Sequence, residues 1–254
     1  MEAVEGTTVV GWVVSGVAFW WTAFLLVRGV FFPKRSYDFC NRAVSTAHAV
    51  AAVSLACLSV ADWSCPVCPL ASASSPRQYT NTHTSYVVFL IAVAGAVVMK
   101  ALAVTVSYMV YDAACCYLND DVRVDNTVHH LVSIVGIAAG LAYRRCGTEM
   151  VASLFVTEIS SPLLHLREIL KEFGVKDTDL NLLVDILFAV IFSVARMGFG
   201  PYLTYVTVTA DNPILIKAMA TGLQLVSAYW FLRILRMVRY KLGKKKPAPK
   251  VADN

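Results

Sequence analysis

Seven apolar runs dominate the chain, near residues 8–31, 43–61, 85–111, 127–143, 150–169, 181–208 and 214–238. Each is long enough, or nearly so, to cross a hydrocarbon layer of about 30 Å, which takes about 20 helical residues at about 1.5 Å per residue. In hydrocarbon a backbone must satisfy its own hydrogen bonds, so runs of this length are read as helices. The expected fold is therefore all-α, a polytopic membrane bundle of about seven transmembrane helices. Apolar residues make up 57% of the chain and charged residues 15%, with a mean hydropathy of +0.61. Soluble domains run at about 45–50% and about 25%. The first run lacks a basic leader and a small-residue cleavage site, so it reads as a retained span. No soluble domain is left over, and no basic surface interleaved with aromatics points to nucleic acid.

The basic residues set the expected orientation. With seven spans and the C-terminus in the cytosol, sixteen Lys and Arg fall on the inner side, from Arg28 to Lys250. Three, Arg77, Arg144 and Arg145, fall outside, while Lys100, Arg196 and Lys217 lie within or at the edge of spans. That asymmetry predicts the N-terminus out and the C-terminus in. The chain divides into a first helix with a basic connector (1–34), a body at 35–240 and a basic tail at 241–254. The tail reads as a cluster that fixes topology, or as a contact for anionic lipid. The loop at 62–84 is expected outside, and its CPVCP stretch is half of a zinc motif without a second half. A local disulfide, one to Cys146, or no bond fits better, and no metal site is expected. Cys115 and Cys116, beside a span end, are a weaker candidate pair for palmitoylation.

Ionisable side chains in the bilayer core cost at least about 2.5–3.5 kcal/mol each on insertion scales, so they turn toward partners or cavities. Those in or at the edge of spans are His48, Lys100, His129, His130, Glu158, His165, Asp185 and Arg196. His129, Ser133, Gly136 and Gly140 share one helical face, with His130 at its border. Glu158, Ser161, Pro162 and His165 repeat the pattern in the fifth run. Pro162 cannot donate to the carbonyl of residue 158, so a kink is expected there. Asp185 and Arg196, eleven residues apart, are expected nearly eclipsed. Together these faces predict one polar chamber. Lys100 and Arg196 have a second reading, as ion-pair partners of Glu158 or Asp185.

The segments SYMVYDAACCYLNDDVRVDNTVHHLVSIVGI, TEISSPLLHLRE and ARMGFGP resemble the TLC-domain (TRAM, LAG1 and CLN8 homology) family, in its transmembrane protein 56-like branch. The resemblance covers roughly residues 35–240. It implies a helical bundle around a lipid-accommodating cavity, in the endoplasmic reticulum or a related membrane. In the ceramide synthase branch a double histidine moves an acyl chain from acyl-CoA to an amine, a role that would fall on His129 and His130. The next block of that branch keeps one acid here, Glu158, and lacks its first histidine and second aspartate.

The candidate catalytic residues are thus His129, His130 and Glu158. The candidate substrate-binding residues are Ser133, Gly136, Ser161, His165, Asp185, Arg196 and Lys100. Three activities fit them. One is binding of a membrane lipid or fatty acyl chain that influences membrane lipid composition. The second is acyl transfer with acyl-CoA as co-substrate and no resident cofactor. The third is lipid, ion or proton transport. A homo-oligomer is compatible with each. The orientation has a direct check: an N-glycosylation acceptor placed after residue 254 should stay unmodified in microsomal membranes, and a glycosylated tag would reverse the topology.

Overall fold

The computed structural model describes residues 2–60, 65, 67–68, 70–71, 85–120, 122–176 and 178–244. Most of the loop expected at 62–84, Arg77 and the tail from residue 245 lie outside the described residues. The regular elements among the described residues are all helical. They are α1 (Glu2–Leu26), α2 (Tyr37–Ser59), α3 (Ser85–Leu118), α4 (Val124–Tyr143), α5 (Gly147–Glu158), α6 (Ser161–Glu172), α7 (Asp179–Phe192), α8 (Gly200–Thr209) and α9 (Ile214–Lys244). A π-helical turn, Val27–Phe31, prolongs α1, and a second π-helical segment, Ser193–Phe199, joins α7 to α8. Counted as bodies, these elements make the expected seven passes of an all-α membrane bundle.

Five bodies are long and apolar enough to cross a membrane by themselves: 7–31, 37–59, 97–118, 179–209 and 214–240. The other two hold the double histidine and Glu158. α4 opens with Asp125 and holds both central histidines within 20 residues. The fifth body is broken between α5 and α6 at Ile159–Ser160, with Pro162 in the first turn of α6. The helix is therefore interrupted where a kink is expected, over two residues beside Glu158.

Two ends differ from the sequence reading. α2 begins at Tyr37, where the Ser36 hydroxyl accepts from the Phe39 N–H at 3.0 Å, and α3 runs to Leu118 rather than residue 111. The added turns are polar, holding Asp38, Asn41 and Arg42 on α2 and Asp112 and Cys116 on α3. Hydropathy misses them because they are polar, not because they leave the helix.

α3 is the hub, packed against α1, α2, α4 and α5, while α9 closes the bundle against α4, α7 and α8. Trp20 and Phe24 of α1, Phe39 of α2, and Tyr108 and Tyr111 of α3 make an aromatic core. His48 belongs to that core: its ring stacks on Tyr108 with centroids 3.7 Å apart and planes 7° from parallel. In contrast, Phe19, Leu25, Val190, Val194 and Leu232 are exposed on the outer faces, where acyl chains are the solvent.

Close approach of α1 to α3 depends on Gly16, where a β-carbon would meet the Ser107 β-carbon at 2.7 Å. Small residues permit such backbone contact between membrane helices. Gly16→Val should lower the unfolding temperature in detergent, with a loss of about 1–3 kcal/mol from overpacking. The control is Gly11→Val, whose site is open to 4 Å. Equal behaviour of the two variants would remove the close contact from the account.

Candidate functional site

Two cavities lie inside the bundle and meet at one residue. The first, a chamber of about 100 Å³, lies between α3, α4, α5, α8 and α9. Its wall is mostly apolar, with His129, Ser133, Gly136, Glu149, Glu158 and Arg196 as its chemically significant members. The second, a vestibule of about 490 Å³, lies at the basic end of the bundle. Asn41, Asp112, Ser161, His165 and Trp230 line it, and so does Arg196. Arg196 therefore has one side on each space.

The small-residue face of α4 produces half of the chamber. His129, Ser133 and Gly136 all line it, as their shared helical face requires. A β-carbon at Gly136 would stand 3.2 Å from that of Met219, so α9 crosses close by. Gly140 serves packing instead, because the Met150 thioether fills the space a side chain there would occupy.

The break between α5 and α6 supplies the junction. Glu158 ends α5 and faces the chamber, while Ser161 and His165 on α6 face the vestibule. The Arg196 Nη2 group donates to the Thr157 carbonyl in the last turn of α5. Rings of Phe192 and Trp230 lie 5.1 and 5.6 Å from its guanidinium carbon, within cation–π range. Gln224 on α9 donates to the Arg196 carbonyl at 3.2 Å, tying the π-helical segment to the neighbouring helix.

Asp185 and Lys100 stand elsewhere than expected. Asp185 is buried behind the vestibule and pairs with Arg167 at 3.0 Å, not with Arg196. The π-helical segment begins between the two, and its wider turn removes the register that eleven α-helical residues would give. Lys100 is exposed on α3 and lines neither cavity.

Trp230 is the partition. Its indole N–H donates to Asp125 at 2.8 Å, its ring lies 5.0 Å from the His129 ring, and Arg196 sits over it. Asp125 also accepts Arg123 at 2.7 Å and Arg233 at 3.0 Å. On the α2 side Arg42 pairs with Asp38 at 2.6 Å. The rim of the vestibule is thus dense in charge and largely self-paired.

The two histidines divide between these surroundings. His129 turns to the chamber, and its Nδ1 is buried without a hydrogen-bond partner. His130 turns to α3, where its Nε2 lies 2.9 Å from an Asp112 oxygen. The other Asp112 oxygen accepts from Asn41 at 2.8 Å. Asp112, Cys116 and His130 bring three donor atoms within 4.8 Å of one another, a spacing compatible with a metal ion.

Sequence reasoning missed three residues here. Asp112 was hidden by the underestimated end of α3. Glu149 and Asn212 close the far end of the chamber: Asn212 donates to Glu149 at 3.2 Å and to the Thr207 carbonyl at 2.9 Å. The Cys146 thiol donates to Asn212 at 2.8 Å. Burial, helped by the Glu149 carboxylate, pushes that thiol up to about 11, so it stays protonated at neutral pH. Cys146 is thus a free thiol, and the disulfide joins Cys65 to Cys68.

The Asp112–His130 contact is measurable. In a double-mutant cycle with Asp112→Ala and His130→Ala, the coupling in detergent unfolding should be about 1.5–3 kcal/mol, the range for hydrogen bonds to charged groups. Strictly additive losses would show that the two side chains do not interact.

Comparison with known proteins agrees with this architecture. The TLC domain matches residues 38–236. A TLC domain-containing protein of Acanthamoeba polyphaga mimivirus is 28% identical over 120 residues, covering 45% of this chain and 60% of the relative. The chain thus spans less than two thirds of that relative's length. The matched domain takes in α2 through most of α9, including the chamber, nearly all of the vestibule and the double histidine, and the chain belongs to the TLC-domain family.

Proposed function

We propose that this protein binds an amphiphilic membrane lipid or fatty acyl chain, with the chain in the chamber and the polar end toward the vestibule, and so influences membrane lipid composition. The observation that carries this reading is the meeting of a mostly apolar space and a polar, charge-rimmed space at Arg196. An amphiphile matches that division, since its tail gains from leaving water and its head from keeping polar partners. The basic residues favour a vestibule on the cytosolic side, so the ligand is taken from that leaflet, in the endoplasmic reticulum or a related membrane.

A second reading, acyl transfer from acyl-CoA, is favoured by His129. Its imidazole faces the chamber with Nδ1 free to take the proton of an attacking amine or hydroxyl. The carbonyl–sulfur bond would then break, and the departing thiolate would recover a proton. Glu158 and Arg196 line the same space, the first to orient the imidazole and the second to offset oxyanion charge.

Purified protein should retain copurifying lipid, and a photoactivatable fatty acyl probe should label chamber residues of α4 and α5. Ser133→Phe, which fills the chamber, should reduce labelling at least fivefold while helix content is kept. Full labelling of that variant would refute chain binding in the chamber. Acyl-CoA turnover abolished by His129→Ala, with probe binding intact, would establish the second reading.

A further inference from the structure

Arg196 is the most heavily buried cation on either cavity wall, 5% exposed, and its hydrogen-bonding capacity is not used up. A guanidinium carries five N–H donors, one on Nε and two on each terminal nitrogen, and stays protonated in proteins. Nη2 is engaged by the Thr157 carbonyl. Nε and Nη1 are buried without a hydrogen-bond partner. No Asp or Glu among the described residues forms an ion pair with it, although every other vestibule arginine has one. Glu158 lines the same chamber and attracts it electrostatically, short of ion-pair contact.

A buried cation with one backbone carbonyl on Nη2, ring faces beside it, and Nε and Nη1 unpartnered is costly to maintain unless something else completes it. Its backbone points the same way. Arg196 sits in the seven-residue π-helical segment Ser193–Phe199 inside a membrane span, and π-helical distortions occur often at functional sites. The segment is held by partners outside itself, Thr157 on α5 and Gln224 on α9. Backbone and side chain are thus both fixed around donors left open.

We infer that Arg196 is the anion-recognition site of the chamber, and that it takes the oxyanion headgroup, carboxylate or phosphate, of a single-chain amphiphile. This rests on the lipid-binding reading and deepens it by naming the ligand class. The open Nε and Nη1 donors bond the headgroup oxygens, the unpartnered His129 Nδ1 adds a neighbouring polar contact, and the chain extends along Ser133 and Gly136. Arginine suits the task because its planar donors match such oxyanions.

The test uses the full chain in nanodiscs of neutral phosphatidylcholine, with three probes of equal chain length: oleate, oleyl phosphate and oleyl alcohol. Oleate, oleyl phosphate or both should bind at least tenfold more tightly than the alcohol, and whichever anion binds identifies the headgroup. Arg196→Gln should erase that preference while leaving alcohol binding within twofold, and Arg196→Lys should restore part of it. Since loss of a buried cation can unfold a bundle, the unmodified protein gives a second readout. Phenylglyoxal should modify Arg196, mapped by peptide mass spectrometry, and the preferred anion should protect it where the alcohol does not. Equal binding of all three probes would overturn the anion site and leave the chamber reading standing. No binding of any probe would overturn both.

Discussion

The Arg196 guanidinium donates to the Thr157 carbonyl at the place where the two cavities meet. This contact crosses from the π-helical segment to the last turn of α5, at the place where the fifth pass stops being a continuous helix. Glu158 faces one cavity and Ser161 the other because two residues of broken helix lie between them. Pro162 makes that break cheap, since it has no N–H to offer the carbonyl four residues earlier. Without the break, α5 and α6 would form an uninterrupted wall; without the arginine, the carbonyl at the junction would lose an interhelical partner.

The same constraint explains the rest of the polar interior. Hydrocarbon offers no hydrogen bonds, so each buried polar group must find one inside the protein or border a cavity. Asp112 finds His130 and Asn41, Asp185 finds Arg167, and Asp125 gathers Trp230, Arg123 and Arg233. Glu149 and Asn212 satisfy each other at the opposite end. His48 is the contrasting case. Both its ring nitrogens lack a hydrogen-bond partner, and its ring is held flat against Tyr108, so it acts as an aromatic packing residue.

The spans and the inward face of α4 were legible in the sequence because length and a 3.6-residue period report directly on which residues meet lipid. His129, Ser133 and Gly136 follow from that period alone. Pro162 announced its own kink. What was not legible lay where those two signals fail. Asp112 sits in a polar helical turn that hydropathy assigns to a connection, yet it is as much part of α3 as Tyr108. Glu149 and Asn212 are far apart in sequence, and only the packing of α5 against α8 brings them together. Asp185 and Arg196 illustrate a third failure: the eleven-residue rule assumes α-helix throughout, and the π-helical segment breaks that assumption between them. His130 shows a milder one, since its helical position is correct but its partner comes from a different helix.

Trp230 lines the vestibule and touches two residues of the chamber wall. Its nitrogen is committed to Asp125 at the rim, while its ring lies beside both His129 and Arg196 at the chamber's inner end. A rigid indole cannot tilt at one edge and stay still at the other. Anything that shifts the ring from within the chamber therefore stretches the bond to Asp125 and loosens the hold on Arg123 and Arg233. Linkage requires the converse with equal free energy: an ion or partner that captures those rim arginines changes how tightly the chamber keeps its contents.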